Sequence, residues 1–381
     1  MKVCFVDRIG AHSIWGVIAP IAQSLLLDNR QVIYVRLDDD GDVGEFFIPK
    51  GVQVQDIKVP PKGAFSVITQ QWYFAKEFSK LLADLKPDIV HTNFAVPSIS
   101  ARWVAHRAGV PVIVSTQHEL YGSMRLHYQL GLRLTERFCN AVTYVSNTVA
   151  ESFGRSAEVS RDSQTRSNIR HVVIANGVNV SRIQDVVKDV NYRVPGRIVC
   201  AGRMVPVKGH EVLIRAFAEA RKQHSHLHLH LIGTGPLEDE FRELVDQLGL
   251  TERVHFLGWR SHDEVLREMA VAELVISASH QEGFGLVVAE ALACKAPILL
   301  SDIPVFREVM RGYEQFGRFF RAGDVDSLTS ELVSFFSKEK VPIETASKQE
   351  LHSLSSDAMA EQYLALYKEL EKHFSYKSEG A

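Results

Sequence analysis

The chain has 381 residues, enough for two domains with separate cores, and its 46% hydrophobic and 23% charged residues are ordinary for a soluble globular protein. A net charge of −3 gives no basic footprint for nucleic acid, and no run approaches the roughly 18 apolar residues of a membrane span. Met1-Lys2-Val3-Cys4-Phe5-Val6-Asp7 becomes charged too soon for a signal peptide, and the scattered Cys4, Cys139, Cys200 and Cys294, with no C-x-x-C pair, argue against zinc and against a disulfide framework, so a reducing, cytoplasmic setting is expected.

Short apolar strands alternate with helical patterns, which predicts parallel sheets with crossover helices. Residues 3–6 read as a first strand, residues 20–27 fall in a helix and residues 32–37 form a second strand. Gly16, and more weakly Gly10, lies in the turn between the first strand and that helix. Asp38-Asp39-Asp40-Gly41-Asp42 resembles a metal box or calcium loop, but its glycine and terminal Glu are misplaced for an EF-hand, and it reads as a solvated loop. Residues 72–85 are amphipathic, and residues 88–91 and 112–116 are strands, with His118 just beyond the second. Residues 125–138 are basic and leucine-rich. That suits contact with a membrane surface, or, more commonly, a buried helix with an exposed basic face.

Residues 141–146 are another strand, and the polar stretch 154–170 reads as a loop. A second series of strands begins at 197–200 and continues through 227–232, 254–256, 274–276 and 297–300. His226, His228 and His230 alternate along one of these strands. They look superficially like a metal site, but zinc wants ligands from several elements, so a partly exposed strand face is the better reading. Residues 357–374 close the chain with a helical pattern carrying Met359, Tyr363, Leu366 and Leu370. The predicted fold class is therefore α/β, with two doubly wound Rossmann-like halves joined near residues 178–195. One spans residues 1–180 and the other 195–356. Ligands bind such folds at the carboxyl ends of the strands, and two halves facing across a cleft can close by a hinge.

The densest chemistry lies in His280-Gln281-Glu282-Gly283-Phe284-Gly285-Leu286-Val287-Val288-Ala289-Glu290, between a short strand and an apolar helix. The first helical N–H groups lack internal partners and the helix dipole favours an anion there, while the glycines admit a ligand close to the backbone. Glu282 in the loop and Glu290 in the helix add two acceptors beside a phosphate-sized site, which suits a nucleotide sugar. The amides of Gly283, Phe284, Gly285 and Leu286 are further candidates for donor contact. Upstream, Arg203 and Lys208 follow a strand end, where a guanidinium and an ammonium can oppose the charge of a departing diphosphate.

These segments resemble the retaining GT-B glycosyltransferases of family 4. Glu282 to Glu290 matches the family's E-x7-E signature, and Gly202-Arg203-Met204-Val205-Pro206-Val207-Lys208-Gly209 its G-R-x4-K-G loop. Val173-Ile174-Ala175-Asn176-Gly177-Val178-Asn179 resembles its interdomain segment, and Gly233-Thr234-Gly235-Pro236 its G-x-G-P loop. The resemblance implies that Arg203 and Lys208 hold the donor phosphates, Glu290 the ribose and Glu282 the donor sugar, and that His118 faces the transferred sugar. It places Gly16 near the diphosphate, where the family typically has Gly-Gly. It also implies front-face attack with help from the leaving phosphate, no cofactor, no essential divalent metal, and a closing helix over about 357–375 that returns to the N-terminal domain. A sugar, glycolipid or small-molecule acceptor is expected, in glycan, polysaccharide or glycoside biosynthesis. A nucleotide-sugar epimerase or hydrolase and a binding module without turnover are the alternatives. Two departures stand out. Lys295 stands where members often have glycine, at a cost of about 1 kcal/mol if that position is left-handed. Ser301-Asp302-Ile303-Pro304 replaces the glycine-rich loop of some members.

Overall fold

Runs of Val, Ile and Leu bounded by turn residues become strands because a sheet covered on both faces needs continuous apolar sequence. The computed structural model describes residues 1–8, 15–38, 48–59, 67–155, 169–337, 346–347 and 349–379. Gly10, residues 39–42 of the acidic stretch and residues 156–168 of the polar stretch lie outside this description.

The chain divides into two compact units, Met1–Gly177 with Ser356–Ala381, and Val178–Ser355. In the first unit the order is β1 (Lys2–Arg8), α1 (Trp15–Leu27), β2 (Gln31–Asp38), β3 (Gln53–Lys58), α2 (Val67–Leu85), β4 (Ile89–Asn93), α3 (Ala95–Arg107), β5 (Val112–Gln117), α4 (Leu126–Glu136), β6 (Ala141–Tyr144), α5 (Asn147–Ser152) and β7 (Arg170–Val173). All seven strands pair in parallel in the order β3-β2-β1-β4-β5-β6-β7, and β4, β5 and β6 are buried at every position.

The second unit runs α6 (Val180–Val187), β8 (Val194–Ala201), α7 (His210–Arg221), β9 (His228–Ile232), α8 (Glu238–Gln247), β10 (Val254–Gly258), α9 (His262–Val271), β11 (Ala272–Ser277), α10 (Leu286–Ala293), β12 (Ile298–Ser301), α11 (Pro304–Val309), β13 (Gly317–Phe320) and α12 (Val325–Ser337). Its six strands are also parallel, in the order β10-β9-β8-β11-β12-β13. His228 and His230 lie on β9, whereas His226 precedes the strand in a turn. β3, β7 and β13 carry little apolar signature in the sequence, since each is an edge strand with only partial burial.

The closing helix α13 (Ser356–Glu379) belongs to the first unit and packs on α1. Its apolar positions Met359, Tyr363, Leu366 and Leu370 are buried, but the anchoring is polar. Tyr367 Oη lies 2.6 Å from His91 Nδ1, and His91 Nε2 lies 2.6 Å from Thr116 Oγ1. Thr116, Thr143 and Tyr363 complete the network. Tyr367→Phe should therefore cost about 1–3 kcal/mol in urea unfolding, since it strands a buried imidazole nitrogen.

Burial holds three histidines neutral: His91 and His118 are pulled down to about 3 and His210 to about 4. In the unfolded chain each takes up a proton near 6.5. The unfolded state thus binds more protons across the interval between those values, and stability should fall as pH drops below about 6.5. Thermal melts at stepped pH check the sign; His91→Asn should flatten the slope.

Candidate active site

The strand order of the second unit reverses between β8 and β11, so a crevice is expected beyond their carboxyl ends. Arg203 and Lys208 lie on the loop after β8, and Glu282 on the loop after β11. Lys208 Nζ donates to Glu282 Oε1 at 2.6 Å, across 74 positions of sequence. Ser279 Oγ donates to the same carboxylate oxygen at 2.8 Å, and Ser301 Oγ in turn donates to the Ser279 carbonyl. The side chains of Lys208 and Glu282 are 28% and 13% exposed, so the pair is shielded yet reachable. Arg203 is exposed on the same loop, and among the described residues its guanidinium makes no hydrogen bond or ion pair.

The motif glycines are demanded by the backbone. His280 N–H donates to the Val207 carbonyl at 2.8 Å, tying the two loops together. Gly209 has φ +66°, and a Cβ there would lie 2.0 Å from the Ala278 carbonyl oxygen. The G-x-G-P loop braces the first loop from its other side. Met204 N–H donates to Thr234 O at 3.0 Å, and Cβ atoms on Gly233 and Gly235 would meet the carbonyl oxygens of Gly202 and Met204 at 2.3 and 2.4 Å. Side chains at these positions would push apart the loops that carry Arg203, Lys208 and Glu282.

The helix α10 opens on Gly285, at φ +87°, whose Cβ would strike the Phe306 ring at 2.5 Å. Phe284 is buried in the core, so its backbone alone is available to a ligand, while Gly283 and Leu286 are partly exposed. Glu290 lies one turn into this helix and is not joined to Lys208 or Glu282. Its Oε1 accepts from His262 Nε2 at 2.8 Å, a partner the sequence reading missed. His262 opens α9, behind a capping box formed by Ser261 and Glu264. The hydrogen bond to Glu290 raises the His262 pKa above its ordinary value. An NMR titration should find the His262 midpoint above 6.5, falling back in Glu290→Gln. The stability this pair contributes is complete below the unfolded value and is lost as pH rises through the folded one.

In the first unit the strand order reverses between β1 and β4. Gly16 is exposed in the first turn of α1, and a Cβ there would meet nothing within 4 Å, so packing does not require this glycine. His118 follows β5, with its Nε2 3.1 Å from Asn93 Oδ1 at the end of β4 and its ring 5.2 Å from that of Phe94. It is partly exposed, yet enough protein surrounds it for desolvation to hold the ring neutral. Phe94 has φ +59°, a strained conformation for a bulky residue and of a kind that concentrates at functional sites. Lys295 does occupy the left-handed region, at φ +58°.

Two parallel α/β units, the second with a cation–carboxylate pair at its switch point, define a GT-B glycosyltransferase architecture. The model of glycosyl transferases group 1 matches residues 185–350, and that of Glycosyltransferase Family 4 matches residues 21–182. The chain belongs to this family. It is 25% identical over 302 residues to the phosphatidylinositol N-acetylglucosaminyltransferase GPI3 subunit of Saccharomyces cerevisiae, an alignment covering 76% of this chain and 65% of that protein. The sucrose-phosphate synthase of Thermosynechococcus elongatus has the same fold, with a TM-score of 0.77 at 17% identity over 98% of this chain and 100% of the other. Anabaena HepE, solved with UDP and glucose, aligns with a TM-score of 0.66 at 19% identity over 99% and 100%. Among the described residues no helix is long and apolar enough to cross a membrane.

Proposed function

We propose that the protein transfers a sugar from a nucleoside-diphosphate donor to a hydroxyl acceptor, with retention of anomeric configuration. The observation that carries this reading is the Lys208–Glu282 pair at the β8/β11 switch point, 2.6 Å apart and braced by Ser279. Lys208 and Arg203 supply positive charge for a diphosphate, and the amides of Gly283, Phe284, Gly285 and Leu286 with the α10 dipole add to it. Glu282 accepts from hydroxyls of the donor sugar, and Glu290, oriented by His262, from the ribose. The family resemblance gives His118 the transferred sugar and Gly16, in the first turn of α1, the diphosphate.

In the reaction the bond from the anomeric carbon to the phosphate oxygen breaks and one to the acceptor oxygen forms on the same face. The acceptor proton passes to the leaving phosphate. Cationic side chains oppose the charge that develops, so no step is assigned to a divalent metal or cofactor, and turnover should survive EDTA. The yeast relative's name points to a lipid acceptor, and the UDP bound to HepE makes UDP the first donor nucleotide to try.

The test is a thermal-shift panel of UDP-, GDP- and dTDP-sugars, followed by transfer assays with the product anomer read by NMR. A bound donor stabilises the folded chain by mass action, by about 2.7 kcal/mol at a hundredfold excess over Kd, and so raises the melting temperature. Donor consumption without acceptor would favour the epimerase or hydrolase, and binding without any turnover the binding module. An inverted product would remove retention.

A further inference from the structure

The first unit carries an apolar face that its own core does not cover. Leu126, Leu130 and Leu134 repeat every four residues along α4 and are 68%, 52% and 65% exposed. The other exposed side chains of this face are His127 and Arg133, with Arg125 and Arg137 at the helix ends. The acid of α4 points elsewhere: Glu136 pairs with Arg155 at 2.7 Å and lies 3.4 Å from His171, while Glu119 stands in the loop before the helix. On the neighbouring α3, Trp103 is 46% exposed with the Arg107 guanidinium 5.5 Å from its ring. On α2, next to α3, exposed Trp72 carries Lys76 in the same way at 5.7 Å.

Nor can the face fold away, because α4 is fixed from behind. The buried Arg102 guanidinium donates to Leu132 O, Thr135 Oγ1 and Ser115 Oγ, and Gly131 admits Ile99 so closely that a Cβ would meet it at 2.6 Å.

We propose that this α4 face, with Trp103 beside it, is a docking surface for an anionic lipid bilayer. A rigid helix with leucines on its crest and cations beside them can sink the leucines among acyl chains while the arginines meet lipid phosphates. Tryptophans with a cation over the ring suit the headgroup level. A second protein is the competing occupant, and the oligomer readout below separates it from a bilayer. The inference is independent of the proposed transfer chemistry.

The test is sedimentation of the whole chain with phosphatidylcholine vesicles, with and without about a third phosphatidylglycerol. Binding to the anionic vesicles should be salt-sensitive, and weaker on the neutral ones. Leu126→Ser/Leu130→Ser/Leu134→Ser should lower it by on the order of tenfold or more. Arg133→Gln/Arg137→Gln should lower it about tenfold and remove much of its salt dependence. The substituted side chains are solvent-exposed, so melting curves should be unchanged; if the leucine variant melts early, the arginine pair decides. Wild-type protein that ignores both vesicles overturns the proposal, as does equal binding by wild type and variants. A wild-type dimer that the leucine variant splits, with no vesicle binding, would assign the face to a second copy instead. All of these readouts stand whether or not transfer is ever observed.

Discussion

Lys208→Ala and Glu282→Ala should each lower glycosyl transfer by on the order of 10²–10³-fold or more, with little change in melting temperature. The asymmetry follows from where the pair sits. Both groups are partly shielded but open to solvent, so losing either should cost folding only about 1 kcal/mol. In the proposed reaction Lys208 has a larger task. Ser279 holds the Glu282 carboxylate in place, so Lys208 is the member free to leave the pair for a diphosphate. A cation that strengthens its hold as charge grows on the leaving oxygen acts on the transition state more than on bound donor. Lys208→Ala should therefore fall mainly in kcat, and Glu282→Ala in both kcat and KM. The double variant should lose much less than the sum, because the two groups act as one unit. Near-normal turnover by both purified single variants would remove this site from consideration.

Much of this was legible because it depends on local pattern. Apolar runs bounded by turns gave β1, β2, β4, β5, β6 and the central strands of the second unit, since covered strands carry an apolar run even where buried polar residues such as His91 and Thr116 follow it. Lys208 and Glu282 stood out through charged residues set among glycines at strand ends. The edge strand β3 did not, because its Gln53-Val54-Gln55-Asp56-Ile57-Lys58 buries only Ile57. The bonds of Ser279, Ser301 and His262 left no trace for a different reason. Serine is common and histidine ambiguous, and only folding brings His262 to a carboxylate 28 positions away. In the closing helix the apolar spacing was plain, but the hydroxyls of Tyr363 and Tyr367 that bond to the threonines and His91 of the sheet leave no periodic trace. The exposed leucines of α4 show the limit of pattern most clearly. Basic, leucine-rich sequence more commonly means a buried helix than a membrane-facing one, and only the structure shows these leucines exposed.

Gly209→Ala should destabilise the second unit by about 2–4 kcal/mol and weaken donor binding by at least about tenfold. The left-handed φ alone would cost an alanine about 1 kcal/mol, and the larger part is steric. The new Cβ would stand 2.0 Å from the Ala278 carbonyl oxygen and 2.9 Å from its carbon, both backbone atoms just past the buried strand β11. That strand is held between β8 and β12, so the piece that yields is the turn Pro206–Lys208. Its movement carries Lys208 away from Glu282 and breaks the backbone bond from His280 to Val207. Gly202, the first glycine of the same motif, makes the control. A Cβ there would meet only the Lys208 side chain, at 3.7 Å, so Gly202→Ala should leave stability unchanged. Chemical unfolding and nucleotide titration of the two variants separate a glycine required by protein backbone from one required by ligand. Loss of donor affinity at Gly202 with stability intact would show the ligand approaching there. Equal stability in Gly209→Ala and wild type would mean that the close approach of these two loops, on which the placement of Lys208 depends, is wrong.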